Sequence, residues 1–153
     1  DFPIDVMQWE YWKDFAPKHF DLVAASVPCN EYSVAKKVGV RDMESADKLV
    51  RKTLEIIEYL RPEKWWIENP RNGYLRTRGI LDKYPYVDLD YCQLSDWGYN
   101  KPTRFWGSPN VVSKPSLRCD FQTCPNLELG PSGKKAPVFS WWVQNEFFHA
   151  NEE

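Results

Sequence analysis

The chain has 153 residues, of which 42% are hydrophobic and 27% charged, and these proportions are ordinary for one globular domain. No apolar run is long enough to cross a membrane, and the start does not resemble a secretory signal. The four cysteines, at positions 29, 92, 119 and 124, are too few for a secreted disulfide scaffold. We therefore expect a cytoplasmic protein with free thiols and no membrane partner.

The charge is unevenly distributed around a net value of −2, which argues against indiscriminate binding to nucleic acid. Residues 1–21 carry five acids and two lysines, whereas residues 101–135 carry six bases and two acids. A polyanion would therefore bind the second half of the chain. The alternative is a solvated face with scattered basic residues, and the composition fits both.

The first elements lead to a cysteine. After a short Ile-Asp-Val segment at residues 4–6, the apolar run Leu22–Ser26 is typical of a buried strand in a parallel sheet. Pro28 interrupts the hydrogen-bond ladder, so Cys29 follows at the carboxyl end of the strand, where open α/β sheets bind ligands. Cys29 is therefore either a nucleophile or an inert, buried thiol.

A basic loop and a helix follow. The loop over residues 36–41 either covers a bound polyanion or is a solvated linker. Apolar residues from Met43 to Leu60 recur at spacings of three and four, which predicts a helix with one apolar face. Asp42 or Ser45 is expected to cap its start, and Pro62 to end it.

The next strand, Glu63–Asn69, completes a β-α-β unit, so the sheet is expected to be parallel here. Cys29 and Glu68 then leave neighbouring strands at the same edge, as shared chemistry requires. Residues 69–73 have the composition of a turn.

The later elements are shorter, because prolines and glycines beyond Gly107 disfavour long helices and central strands. The expected elements are, in order, a short helix from Leu75 to Lys83, a strand from Val87 to Leu94, a hairpin turn at Gly98, a strand from Thr103 to Trp106 and an amphipathic helix over residues 139–148. Cysteine and histidine side chains of the types that bind zinc are also present. They are Cys92, Cys119, Cys124 and His149. Nothing in the sequence places them together, so no metal site is predicted.

Three motifs in this order resemble those of the cytosine carbon-5 methyltransferases, and most closely those of the phage and viral branch. The first, residues 28–33, matches the family's Pro-Cys-Gln-x-Phe-Ser at Pro28, Cys29 and Ser33, with Asn30 and Tyr32 as departures. In the second, Glu68-Asn69-Pro70 stands for Glu-Asn-Val. In the third, Arg104 is the one arginine of a segment that has two in the family.

The resemblance implies roles for particular residues. The catalytic set would be Cys29, Glu68 and Arg104. Residues that would contact S-adenosylmethionine are Asp5, Val6, Pro28 and Leu49, although Asp5 could equally be an exposed acid and Leu49 a core residue. Residues that would contact the nucleic acid are Ser33, Asn69, Arg76, Arg78 and Lys101. DNA is the expected substrate, with RNA not excluded, and the target cytosine would be flipped out of a duplex.

The fold that the resemblance implies is α/β. A partial Rossmann-like sheet, mostly parallel with one β-hairpin, would form a catalytic domain over residues 1–106. Residues 107–153 would form a small irregular recognition segment in the same compact unit. The family's Gly-x-Gly cofactor loop is not found in the sequence. The segment around residues 4–6 would then pair out of its usual order, or a second chain would fill the gap, giving a homo-oligomer or a two-subunit protein. Three functions are open: a methyltransferase or split subunit of one, an inactive module that binds nucleic acid or a partner, and a different thiol enzyme.

Overall fold

The structure is a computed structural model, and it describes residues 3–94, 101–120, 122–124, 127–129 and 135–137. The turn expected at Gly98, the helix expected over residues 139–148 and His149 lie outside this part of the chain. The helices and strands are α1 (Tyr11–Asp14), β1 (Leu22–Ser26), α2 (Met43–Leu60), β2 (Lys64–Pro70), β3 (Tyr86–Asp90), β4 (Pro102–Gly107), α3 (Pro109–Val112), β5 (Leu127–Leu129) and β6 (Lys135–Pro137). Two 3-10 helices cover Tyr74–Thr77 and Tyr91–Gln93.

The main sheet has the strand order β1-β2-β4-β3. β1 and β2 are parallel, in a register that pairs Ser26 with Glu68, which confirms the predicted β-α-β unit. β4 ends beside the start of β2, where the Ser108 amide donates to the Trp65 carbonyl over 3.1 Å. It also ends beside the start of β3, where the Gly107 amide donates to Pro85 over 3.1 Å. β4 therefore runs antiparallel to both neighbours, and the sheet is mixed.

The helix α2 has the bounds that the apolar periodicity predicts. Asp42 caps its start by accepting a hydrogen bond from the Ser45 amide over 2.9 Å, and Arg61 ends it in the left-handed conformation. Its buried face consists of Val50, Leu54, Ile56, Ile57 and Leu60. This face packs against Val23 and Ala25 of β1 and Ile67 of β2, so the helix covers one side of the parallel pair.

The N-terminal segment packs against α2. Tyr11 is buried against Ile56 and Leu60, and its hydroxyl donates to Glu55 over 2.6 Å. Burial, followed by the hydrogen bond to Glu55, raises the pKa of Tyr11 to about 12. This contact holds the preceding residues 4–6 close to β1.

Three predictions of local structure were wrong. Residues 4–6 lead into a turn over residues 5–8, in which the Met7 amide donates to Asp5 Oδ1, and they do not pair with the main sheet. The alternative, that a second chain fills the gap in the sheet, stays a prediction. The helix expected from Leu75 to Lys83 is only the 3-10 turn Tyr74–Thr77 followed by further turns. The strand expected from Val87 to Leu94 ends at Asp90, where a second 3-10 turn begins.

The chain divides into two compact units. The first contains Asp1–Val87 and Arg104–Pro115, and the second contains Asp88–Thr103 and Ser116–Glu153. The predicted boundary between residues 106 and 107 stays a prediction. In the second unit, β5 and β6 form an antiparallel pair. Within the described residues, no helix has both the length and the apolar character needed to span a bilayer.

Candidate functional site

The ends of β1 and β2 bring Cys29 and Glu68 to one edge of the sheet. Glu68 pairs with Ser26, three residues before Cys29. The side-chain amide of Asn69 donates to the carbonyl oxygen of Val27 over 3.0 Å and so ties the two strand ends together. Cys29 is a half-buried free thiol, and only 8% of Glu68 is exposed. A thiol and a carboxyl group thus emerge from neighbouring parallel strands, as the sequence predicts, and their catalytic roles stay a prediction.

The turn after β2 packs against the loop that follows Cys29. The Tyr74 amide donates to the Tyr32 carbonyl over 2.8 Å. A Cβ atom on Gly73 would lie 3.1 Å from the Pro70 carbonyl oxygen and 3.3 Å from that of Tyr32, so the turn leaves little room for a side chain. Arg71 is buried in this turn, three residues after Glu68. Arg71 has no role among the sequence predictions, although a basic residue directly after Glu-Asn-Pro was a usable signal.

Asn69 is fully buried, and its Oδ1 atom has no hydrogen-bond partner among the described residues. Buried polar atoms are normally paired, so an orphaned acceptor marks a position where a ligand donor or an ordered water is expected. The predicted substrate contact of Asn69 therefore stays a prediction, with this unpaired oxygen in its favour.

Arg104 lies on β4 close to aromatic side chains. Its guanidinium lies 3.7 Å from the ring centroid of Tyr86 and 5.7 Å from that of Trp106. Tyr86 begins β3, beside the end of β4. The structure thus gives Arg104 an aromatic environment, and its catalytic role stays a prediction.

The loop after Cys29 is held by its own charged residues. Arg41 donates to the carbonyl oxygens of Glu31, Ser33 and Lys36 over 2.7–2.9 Å. Lys36 pairs with Glu31 over 2.6 Å, and the Lys36 hydrogen bond is the first cause of the lowered pKa of Glu31. The Ser33 hydroxyl accepts from the amide of Ala35, so it stabilises the turn. Lys36 and Arg41, two of the loop's basic residues, therefore stabilise this conformation of the loop through contacts within it.

Tyr32 joins the loop to helix α2. It is fully buried, and its hydroxyl donates to Asp47 over 2.9 Å. Arg78 donates to both oxygens of Asp47 at 2.6–3.1 Å and so forms an ion pair within the protein, while its contact with nucleic acid stays a prediction. Burial tends to raise the pKa of Asp47, but the hydrogen bonds from Arg78 and Tyr32 outweigh it and hold that pKa below its usual value. Arg76, on the adjoining 3-10 helix, is exposed.

A groove of about 520 Å³ lies beside β1. Its lining includes all four residues predicted to contact the cofactor, Asp5, Val6, Pro28 and Leu49. Most of the other lining side chains are apolar, from β1, α2 and Trp9. An apolar slot with one carboxylate suits a planar aromatic ring that carries an amine. The structure thus brings these four residues together, and their contact with a cofactor stays a prediction.

The second unit contains Lys101 and three of the four cysteines. The Lys101 amine lies 5.5 Å from the ring centroid of Tyr91. The sulfur atoms of Cys92, Cys119 and Cys124 all lie within 4.8 Å of one another. Cys92 and Cys124 are buried, and burial is the largest cause that raises the pKa of the Cys92 and Cys119 thiols. The sequence offered these residues as metal ligands without a reason to place them together.

The fold and this edge define an α/β protein that presents a thiol and a carboxyl group from adjacent parallel strands. No family model matches the chain. The chain is 38% identical, over 144 residues, to a probable DNA (cytosine-5)-methyltransferase of frog virus 3 (isolate Goorha). The match covers 86% of this chain and 66% of the viral protein. The chain therefore belongs to the cytosine-5 DNA methyltransferase family, which confirms the resemblance seen in its motifs.

Proposed function

We propose that this protein methylates carbon 5 of cytosine in DNA and that Cys29 is the nucleophile. The description of the viral relative supports the class of reaction. The observation that carries the proposal is the parallel register of β1 and β2, which pairs Ser26 with Glu68. This register delivers Cys29 and the Glu68 carboxyl to one edge of the sheet, beside the buried amide of Asn69.

The chemistry requires a thiolate because carbon 5 of cytosine is a poor nucleophile. Addition of the Cys29 sulfur to carbon 6 converts the ring to an enamine, whose carbon 5 is nucleophilic. Once carbon 5 carries the methyl group, loss of its proton to the solvent and expulsion of the Cys29 thiolate from carbon 6 restore the aromatic ring. The electron pair gained in the addition is drawn toward N3 and O2 of the base, so these atoms need a proton or hydrogen-bond donors.

Glu68 would donate a proton or a hydrogen bond to N3 of the cytosine ring. A carboxylic acid within hydrogen-bond reach of N3 can share its proton as the ring gains charge, and such general acid catalysis contributes roughly 10²–10⁴-fold. A cation at O2 would act as an oxyanion donor, with an effect of about 2.7–4 kcal/mol. Arg104 is the residue that the family motif indicates, and the buried Arg71 is the guanidinium that follows Glu68 in the chain.

The groove beside β1 fits the adenine end of S-adenosylmethionine. Asp5 would accept from the exocyclic amine, while Val6, Pro28 and Leu49 would enclose the ring. When bound, this cofactor supplies the methyl group. The walls of the groove, from β1 and α2, exclude water from the ring faces.

DNA is the proposed substrate, with a cytosine flipped out of the duplex at a cost of a few kcal/mol. Exposed basic residues would contact phosphates and fix the position of the duplex without reading sequence. In unit one the exposed Arg76 is available for this role, and Lys101 of the second unit is a further candidate.

A DNA duplex with 2-pyrimidinone in place of one cytosine tests the nucleophile directly. This base accepts a thiolate at carbon 6, which is more electrophilic than carbon 6 of cytosine. Formation of the adduct does not depend on methyl transfer. We expect a denaturation-resistant protein–DNA band with the wild type and none with Cys29→Ser. The same duplex with ordinary cytosine is the control for non-covalent binding. A gel shift with both duplexes and no covalent band would contradict the proposal and favour a binding module without catalysis.

A further inference from the structure

We propose that Cys92, Cys119 and Cys124 bind a zinc ion that stabilises the second unit of the chain. The three residues come from two separate stretches, the 3-10 turn after β3 and the loop over residues 119–124. This site goes beyond the methyl-transfer proposal and does not depend on it.

The spacing of the sulfur atoms favours a metal over a disulfide. The three atoms lie within 4.8 Å of one another, and none of the three cysteines forms a disulfide. Zinc–sulfur bonds of about 2.3 Å in a tetrahedron place the sulfurs roughly 3.8 Å apart, so small side-chain rotations would complete the site. A disulfide joins only two sulfurs, at about 2.05 Å, and would leave the third without a role.

The donor set selects the kind of metal. Thiolates are soft ligands that favour zinc, copper(I) and iron–sulfur clusters over calcium and magnesium. The three cysteines supply three of the four tetrahedral ligands of a structural zinc site. Zinc binding would replace the thiol protons, which pass to the solvent, and would thereby compensate the burial of the sulfur atoms.

The backbone around the cysteines is already arranged to hold them. Asp120 organises the loop between Cys119 and Cys124, because its backbone carbonyl accepts from the Cys124 amide over 2.9 Å and its side chain accepts from Gln122 and Thr123. The fully buried carboxylate of Asp90 accepts from the Cys119 amide over 2.7 Å. Supporting hydrogen bonds of this kind orient ligands in metal sites.

The proposal is tested by measuring the metal content of the full chain with inductively coupled plasma mass spectrometry. The protein is purified without added chelator. We expect one zinc ion per chain in the wild type and in Cys29→Ser, whose cysteine lies outside the cluster. Cys92→Ser, Cys119→Ser and Cys124→Ser should each lose the metal. Iron in place of zinc, or full zinc retention by any of these three variants, would overturn the assignment.

Because those variants can fail to fold, a second measurement uses the wild type alone. Cobalt(II) should replace zinc with the absorption of a tetrahedral thiolate site, including a sulfur-to-metal charge-transfer band. Zinc-free chain that shows no such band on titration would count against the proposal. So would alkylation under denaturing conditions that finds two of the three cysteines joined in a disulfide.

Discussion

The side-chain amide of Asn69 donates to the carbonyl oxygen of Val27 over 3.0 Å, two residues before Cys29. This bond fastens the carboxyl ends of β1 and β2 where the thiol and the carboxyl group emerge. Since Asn69 is fully buried, Asn69→Ala leaves the Val27 carbonyl without this donor and should lower the free energy of unfolding by about 1–3 kcal/mol. Urea unfolding measures the loss.

The same variant should also slow the formation of the covalent adduct with 2-pyrimidinone DNA, because Cys29 loses its fixed position. The matched control is Asn72→Ala, which removes an exposed asparagine from the same turn. Equal stability and equal adduct rates for the two variants would show that the Asn69 bond does not position the site.

The two arginines near the proposed chemistry can be separated by substitution. Arg71 is buried in the turn that packs on the Cys29 loop, whereas the Arg104 guanidinium stacks on Tyr86. If a cation at the edge stabilises charge on the base, Arg71→Gln, which removes the charge, should reduce the adduct rate more than Arg104→Gln. We expect a loss of roughly 10²-fold, the effect of one oxyanion donor.

Each variant's urea midpoint serves as the control for folding. A larger loss of rate in Arg104→Gln, at unchanged stability, would instead support the role that the family motif implies for Arg104.

The central β-α-β unit was predictable because its signals are local. The stripe from Met43 to Leu60, the Asp42 cap and Pro62 fix the helix, and the apolar runs on either side fix the two parallel strands. The common edge of Cys29 and Glu68 then follows from the handedness and direction of such units. This part of the site required no knowledge of distant contacts.

The remaining features depend on contacts between distant residues. The segment around Asp5 has strand-like composition, but the packing of Tyr11 on α2 holds it as a turn beside β1. The sequence around Arg78 predicts an exposed basic side chain, yet in the structure Arg78 forms an ion pair with Asp47, 31 residues away. Likewise, the sequence of residues 88–124 does not predict that Cys92 lies close to Cys119. The two cysteines belong to separate stretches, and only the folded chain brings their sulfur atoms together.

Because of the ion pair between Asp47 and Arg78, the free energy of unfolding should decrease as the pH is lowered. The folded-state pKa of Asp47 lies below its ordinary value of about 3.9, so the ionised carboxylate stabilises the fold above that value. This contribution is lost as the pH falls through the folded-state pKa. Asp47→Asn should therefore cost about 1–3 kcal/mol near neutral pH, and less in acid.

Urea unfolding at neutral and at strongly acidic pH measures both values. Asp82→Asn, which removes an exposed acid, is the control and should leave stability nearly unchanged at each pH. A cost of Asp47→Asn that stayed constant across the pH range would rule out the ion pair as its source.

If the groove beside β1 binds S-adenosylmethionine, the affinity should fall in steps as Asp5 loses one or both of its acceptor oxygens. A hydrogen bond from an amine to a carboxylate is worth about 1.5–3 kcal/mol, so Asp5→Ala should weaken binding of S-adenosylmethionine by roughly ten- to a hundredfold. Asp5→Asn keeps one acceptor oxygen and should weaken it less. Isothermal calorimetry measures the affinities, with Asp21→Asn, an exposed acid before β1, as the control. No heat from the wild type at millimolar ligand would disprove the cofactor groove.

The close approach of β4 to β2 at Gly107 provides a test of the sheet itself. A Cβ atom at this position would overlap the carbonyl oxygen of Trp65 and lie 3.3 Å from the Trp66 Cα. Because both obstacles are backbone atoms, Gly107→Ala must move one strand and should cost about 1–3 kcal/mol. It should also speed hydrogen exchange of the Ser108 amide, which donates to that Trp65 oxygen.

The control for this change is Gly39→Ala. Gly39 has a φ of +80° with open space around it, so alanine there strains only its own loop. That variant should lose stability without a selective change at Ser108. Unchanged exchange of the Ser108 amide in Gly107→Ala would mean that β4 does not pair with β2 in this position, and it would also contradict the position of Arg104 on β4.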